Sequence, residues 1–162
     1  TTGAAMLAHG RPAAAREWLA DWQSRQNLDP WMLSHVALAL RWSGHDAEAR
    51  AASEQALAKG SPTIDHPLWV AFDHALAGAH DEAHTALAPI SQTPTTDAYD
   101  RWLLAATKAL TAALSPTLTP TQRRAAIAGY LDEARTCGAT RRQWKVLRRL
   151  HTRVKRHIAA LA

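Results

Sequence analysis

The chain has 162 residues, of which 47% are hydrophobic and 20% are charged, a composition that excludes a disordered protein and suits one compact domain or a short array of repeats. The net charge is +5, but residues 139–162 carry eight basic residues and no acid, so the positive excess belongs to the C-terminal segment. The one cysteine, Cys137, excludes an internal disulfide framework, and no apolar run is long enough to cross a bilayer.

Glycine and alanine recur along the chain at one constant interval, which we call the repeat interval. Because alanine favours helices and the β-branched residues that favour strands are sparse, the sequence predicts an all-α fold. A glycine between two apolar helical runs permits a tight turn, and a very small residue inside each helix lets two backbones approach closely. The repeat interval therefore predicts stacked helix hairpins. Its three series are Gly10, Gly44 and Gly78; Gly3, Ala37, Ala71 and Ala105; and Ala15, Ala49 and Ala83.

This pattern resembles the tetratricopeptide repeat family, whose helix–turn–helix unit has a period of the same length. The resemblance implies a right-handed superhelical array of antiparallel helix hairpins, an α-solenoid, with repeats at about 1–29, 30–63 and 64–97. Ser53 and His74 depart from the pattern, because bulky apolar or aromatic residues are usual at their places, and we expect weaker local packing there. In this register Thr1 lies inside a first helix, so we expect the chain to be part of a longer protein.

The third repeat contains a stretch, "GAHDEAHTALA", that also suggests two kinds of catalytic site. A DEAH-box helicase would need a phosphate-binding GxxxxGK[ST] loop and a preceding strand, and the sequence has neither. His80 and His84 stand four residues apart, as two zinc ligands would, but Asp81 replaces the Glu of an HExxH motif and no third ligand is near. We favour exposed histidines at the start of a repeat helix, where acids suit the helix dipole. The sequence thus predicts no catalytic, metal or cofactor site.

The sequence of residues 98–138 predicts a fourth, atypical hairpin. With it, the predicted repeat array covers residues 1–138. The segment "DAYDRWLLAATKALTAAL" reads as its first helix, "SPTLTP" as a loop, and "TQRRAAIAGYLDEART" as its second helix. The second helix is expected to end at Cys137-Gly138. Cys137 has no paired histidine in sequence reach, so we interpret it as a buried or bystander thiol rather than a nucleophile.

The sequence of residues 139–162 predicts a separate helix that is basic and amphipathic. Thr140 and Gln143 form the pattern of a capping box at its start. Its apolar stripe consists of Trp144, Leu147, Leu150, Val154, Ile158 and Leu161. Its basic residues are Arg141, Arg142, Lys145, Arg148, Arg149, Arg153, Lys155 and Arg156. We favour a cap over the last repeat, because terminal repeats need a polar outer face. The alternatives are contact with nucleic acid or an anionic membrane surface, or insertion into the groove of its own or a neighbouring chain.

Resemblance to the family implies that the first helix of each repeat lines a concave groove, and this groove is the predicted binding site. Aromatic residues and arginine are common anchors of protein interfaces, because they bury a large area. The alternative is that several tryptophans pack between repeats and never meet a ligand. The groove residues predicted to bind are Trp31, Leu38, Arg41, Trp42, Leu68, Phe72, Tyr99 and Trp102.

The sequence therefore predicts a non-catalytic scaffold that binds a protein or peptide partner. Few basic groups are expected in the groove, chiefly Arg41 and Lys108, so an amphipathic helix or apolar segment fits better than an acidic C-terminal tail. The alternatives are nucleic-acid or membrane binding through the basic helix, or regulation of an enzyme domain outside this chain. A homodimer is a further alternative. The compartment stays open, with the cytoplasm the slightly preferred location.

Overall fold

A computed structural model describes residues 11–60 and 65–161, and these residues form helices and connecting turns without a strand. The predicted all-α class is confirmed. Thr1, Gly3 and Gly10 lie outside the described residues, as do the side chains of Trp42 and Asp65. The chain divides into two compact units, one ending at His66 and the other beginning at Pro67.

Eight α-helices and one short 3-10 helix, Trp22–Ser24, occur in the described ranges. In the first unit α1 packs against α2, and α2 packs against α3. In the second unit α6 packs against α5, α7 and α8. The helices are α1 (Pro12–Trp18), α2 (Pro30–Trp42), α3 (Asp46–Ala58), α4 (Asp65–Leu76), α5 (His80–Leu87), α6 (Ala98–Leu114), α7 (Pro120–Arg135) and α8 (Arg141–Leu161).

The repeat interval of the sequence recurs in the ends of the helices. Helices α1, α3 and α5 begin one repeat interval apart, and the ends of α2 and α4 are separated by the same distance along the chain. The backbone N–H of His45 donates to the carbonyl of Leu40 at 2.9 Å, and that of Ala79 donates to the carbonyl of His74 at 2.9 Å. This bond spans five residues back along the chain and is typical of a helix that ends with a left-handed residue. Gly44 and Gly78, with φ of 82° and 77°, are those residues, which confirms the predicted turns.

The alanines of the two helical series are fully buried wherever the structure describes them. In the first unit, the absence of larger side chains lets α2 and α3 approach closely. A larger residue at such a place would have to displace packed neighbours. The fully buried members are Ala15, Ala37, Ala49, Ala71, Ala83 and Ala105.

Ser53 of α3 differs from the sequence-based expectation of weaker packing. It is fully buried, and its Oγ accepts a hydrogen bond of 2.8 Å from Nη2 of Arg41, which is itself almost fully buried. A bulky residue at position 53 would occupy the space that this guanidinium uses. The serine therefore supplies a polar partner for a buried charge, which would otherwise be costly to desolvate.

Helix α6 forms the centre of the second unit and is buried on most of its surface. Asp97 caps its start, because its Oδ1 accepts from the backbone N–H groups of Tyr99 at 2.8 Å and Asp100 at 3.2 Å. The hydroxyls of Thr107 and Thr111 donate to carbonyls one turn back, at 2.7 and 2.9 Å, so both polar groups are satisfied inside the core. A helix surrounded by packing partners on several sides is expected to be apolar over most of its surface.

Two capping boxes begin the last two helices. At α8 the backbone N–H of Thr140 donates to Oε1 of Gln143 at 2.8 Å, and the N–H of Gln143 donates to Oγ1 of Thr140 at 3.3 Å, which confirms the prediction. Thr119 and Gln122 form the same pair of bonds at the start of α7. We did not predict this second box, although the spacing of its two residues in the sequence is the same. Cys137, between the two helices, is buried.

Candidate functional site

In the first unit, one aromatic residue of the predicted groove is open to solvent. Trp31 at the start of α2 is 52% exposed, and its ring centroid lies 4.3 Å from that of His35. Leu38 is partly buried against the core, and Arg41 is buried with its charge directed at Ser53 rather than at solvent. The side chain of Trp42 is outside the described residues. Met32, 43% exposed beside Trp31, is an accessible apolar residue that the groove prediction omitted.

In the second unit, most of the predicted groove residues belong to the core. Leu68 and Phe72 of α4 and Trp102 of α6 are buried. The ring of Phe72 lies 6.1 Å from that of Trp102 and meets Trp69 edge-on at 5.3 Å. These distances are typical of aromatic pairs that stabilise a core. The expectation that these three residues face a partner is corrected accordingly, because they have no surface to offer one.

Tyr99 is the predicted groove residue that stays partly accessible in the second unit. Burial raises the pKa of its phenol above the usual value, and the charge of Asp97 acts in the same direction. Arg142 at the start of α8 partly offsets this rise. Tyr99 therefore remains a neutral hydrogen-bonding group at neutral pH, close to the first basic residues of α8.

Helix α8 separates its apolar and basic sides. Leu147, Leu150 and Val154 are buried where α8 packs against α6, whereas Trp144 and Ile158 are partly buried and Leu161 is 46% exposed. Arg153 is partly buried, and the other seven predicted basic residues are exposed. The apolar stripe thus attaches the helix to its own unit and leaves a cationic surface toward solvent.

His151 is a buried titratable group on the same helix that sequence reasoning missed. Its ring lies 5.6 Å from that of Trp144. Burial lowers the pKa of its imidazole, and the positive charges of Lys155 and Arg135 lower it further. The neutral form is therefore the one that fits this environment. Its position between the buried residues Leu147 and Val154 was the available sequence signal.

The depressed pKa of His151 predicts that acid destabilises the docked helix. The unfolded chain takes up a proton near the usual value of 6.5, but the folded chain does so only at lower pH. The stabilisation is therefore complete above pH 6.5 and is lost as the pH falls below it, by at most about 1.4 kcal/mol per pH unit for one proton. Urea unfolding between pH 8 and pH 5 should show a steeper decline for the native chain than for His151→Phe. Equal declines would contradict this role.

A cleft of about 470 Å³ lies between α5, α6 and α7, inside the second unit. It contains the two histidines that the sequence singled out: the rings of His80 and His84 are stacked with centroids 6.0 Å apart. On the facing helices, Nζ of Lys108 lies 5.9 Å from the ring of Tyr130. The residues that the structure describes include no group of three or more His, Cys, Asp or Glu side chains suited to a metal ion. Both histidines line this cleft.

Comparison with known proteins yields no relative. No family model matches the chain, and no curated protein or solved structure is similar to it at a significant level. Within the described ranges, no helix combines the length and apolar character that a membrane span requires. Function must accordingly be inferred from the surfaces of this chain alone.

Proposed function

We propose that this chain is a helical-repeat scaffold of the tetratricopeptide type that binds a protein or peptide and catalyses no reaction. The observation that carries the proposal is the recurrence, at the repeat interval, of the same helix starts, the same glycine conformation and the same capping bond. Recurring helix hairpins bury one side against their neighbours and hold the other side rigid, which suits them to presenting a binding surface.

The binding surface that we propose is the exposed side of α2. Trp31, His35 and Leu38 are spaced so that they share one helical face, and Met32 adjoins Trp31. Tryptophan is enriched among residues that dominate binding energy, because it buries a large area at a small entropic cost. An aromatic and aliphatic surface of this kind fits the apolar side of an amphipathic helix.

A matched pair of tryptophan variants tests this proposal. Three baits would be compared: the native chain, the Trp31→Ala variant and the Trp18→Ala variant. Each would be used to capture partners from a lysate of the source organism. Trp18 is the control because it is 43% exposed in the same unit, but it lies on α1 beneath the guanidinium of Arg25, 4.6 Å from its ring centroid. We expect a partner that Trp31→Ala loses and Trp18→Ala keeps, with an affinity about 30-fold lower for Trp31→Ala by calorimetry. Equal capture by all three folded baits would contradict the proposed surface.

A second candidate function is binding of nucleic acid through α8. It is favoured by the burial of the apolar stripe, which leaves a basic surface toward solvent and little apolar surface for insertion into a bilayer. Contacts with phosphates would make the affinity fall steeply with added salt, because each contact releases counterions.

Charge-neutralised variants test this second candidate. We expect Lys145→Gln, Arg148→Gln and Arg156→Gln together to weaken binding of a DNA duplex and to reduce the slope of log affinity against log salt by about 0.9 for each phosphate that the protein no longer neutralises. The control is a second triple variant that removes the same charge from the first unit. It carries Arg11→Gln, Arg50→Gln and Lys59→Gln. A preference for anionic vesicles over DNA, or equal effects of the two triple variants, would argue against this function.

A further inference from the structure

The cleft between α5, α6 and α7 has the size and the walls of a small-molecule site. Its volume of about 470 Å³ lies within the range of roughly 300–1,000 Å³ that is usual for ligand pockets. Side chains of the three helices and of the segments that follow α5 and α6 form its walls, so most of the lining groups are held on rigid elements. The site is independent of the proposed protein-binding surface, which is on the first unit.

The ionisable side chains that line the cleft include one lysine and two histidines. Lys108, His80 and His84 line it, and no aspartate or glutamate is among the described residues that form its walls. Lys108 is partly buried, so its ammonium is less screened by water than that of a surface lysine. Nδ1 of His80 lies 2.9 Å from the exposed carboxylate of Asp81, which positions the ring. A negatively charged ligand would therefore meet the ammonium of Lys108 on α6 and imidazole hydrogen-bonding groups on α5, with no carboxylate among the lining residues.

The hydrogen-bonding groups of the cleft differ in their availability. The hydroxyls of Thr111 and Ser91 already donate to carbonyls of their own segments, at 2.9 and 3.0 Å. Lys108, His84 and Gln92 have no hydrogen bond or ion pair among the described residues and remain as donors on two sides of the cleft. The apolar part of the wall comes from Leu87, Ala88, Ala112, Leu118 and Ala126.

We propose that this cleft binds a small organic phosphate, with the phosphate near Lys108 and the imidazoles and the organic part against the apolar wall. A phosphate offers several strong acceptor oxygens, and this matches donors that converge from α5 and α6. A bare anion would leave the apolar wall unused, and a neutral molecule would leave the ammonium of Lys108 without a counter-ion. The ring of Tyr130 adds an aromatic surface on the third side.

Calorimetric titration of the full chain with phenyl phosphate tests the proposal. We expect saturable binding that is at least about tenfold tighter than that of phenol or of inorganic phosphate, because each of these lacks one half of the interaction. Binding of phenyl phosphate no tighter than that of either fragment would overturn the proposal.

Variants locate the binding in the cleft. Lys108→Met should weaken phenyl phosphate binding about tenfold, whereas Lys145→Met, which removes the same charge from exposed α8, should leave the affinity unchanged. His84→Gln, at an exposed position, should weaken binding several-fold without disturbing the fold, so the proposal stays testable if Lys108→Met is unstable. Equal effects of Lys108→Met and Lys145→Met, or full affinity in His84→Gln, would overturn the assignment.

Discussion

Replacing Trp102 by alanine is expected to lower the free energy of unfolding by about 3–5 kcal/mol. The Trp102 side chain is 0% exposed on α6, the helix that contacts α5, α7 and α8, and the ring of Phe72 lies 6.1 Å away. The truncation removes a large apolar side chain and leaves a cavity that rigid helices can fill only in part. Urea unfolding followed by far-UV circular dichroism measures the decrease.

Trp31→Ala is the matched control for Trp102→Ala. The Trp31 side chain is half-exposed at the start of α2, so we expect its removal to lower the free energy of unfolding by less than about 1 kcal/mol. Similar decreases for the two variants would contradict the assignment of Trp102 to the core. The contrast also matters for binding studies, because a Trp102 variant that fails to bind a partner would report a damaged fold rather than a change at the binding surface.

Leu150→Asp is expected to detach α8 from the second unit. Leu150 is buried with Leu147 and Val154 on the stripe that faces α6. The substitution removes about 2 kcal/mol of apolar burial and adds the cost of placing a carboxylate in an apolar environment. We expect a decrease of at least about 3 kcal/mol in the free energy of unfolding. Trypsin should also cleave α8 rapidly, since a detached helix unfolds locally and its backbone beside the basic residues can then enter the active site of the protease.

Leu161→Asp is the control for Leu150→Asp. It tests whether the detachment of α8 is caused by the buried position of the substitution or by the added negative charge alone. Leu161 belongs to the same helix and to the same predicted stripe, but it is 46% exposed. We expect a change within about 0.5 kcal/mol and trypsin resistance close to that of the native chain. If Leu150→Asp were equally resistant, α8 would not be held by its apolar stripe, and its basic residues would not form a fixed surface.

The helix ends were the part of the fold that could be predicted most closely. Gly44 and Gly78 adopt the left-handed conformation because that preference is intrinsic to glycine, and the bond that follows each of them joins residues only five apart. Thr140 and Gln143 form a capping box for the same local reason. The box that begins α7 carried an equally local signal, so it was available in the sequence although we missed it.

The binding residues were harder to predict, because their role depends on what covers them. Trp31 and Trp102 occupy groove positions in the sequence register, yet one is exposed and the other is enclosed by the second unit. Arg41 was expected to give the groove a positive charge, but Ser53, twelve residues away on the next helix, accepts its hydrogen bond in the core. The position of a residue along a helix specifies the face on which its side chain lies. It does not specify which other element, if any, covers that face.

The sequence by itself thus determined the helical class, the repeat interval and the turns, since these depend on backbone preferences and on side chains a few residues apart. The tertiary structure alone decided which aromatic residues form the core, where the stripe of α8 docks, and that His84, Lys108 and Tyr130 line one cleft. These outcomes depend on close packing between helices that are distant along the chain, and such packing leaves no periodic signal in a single sequence.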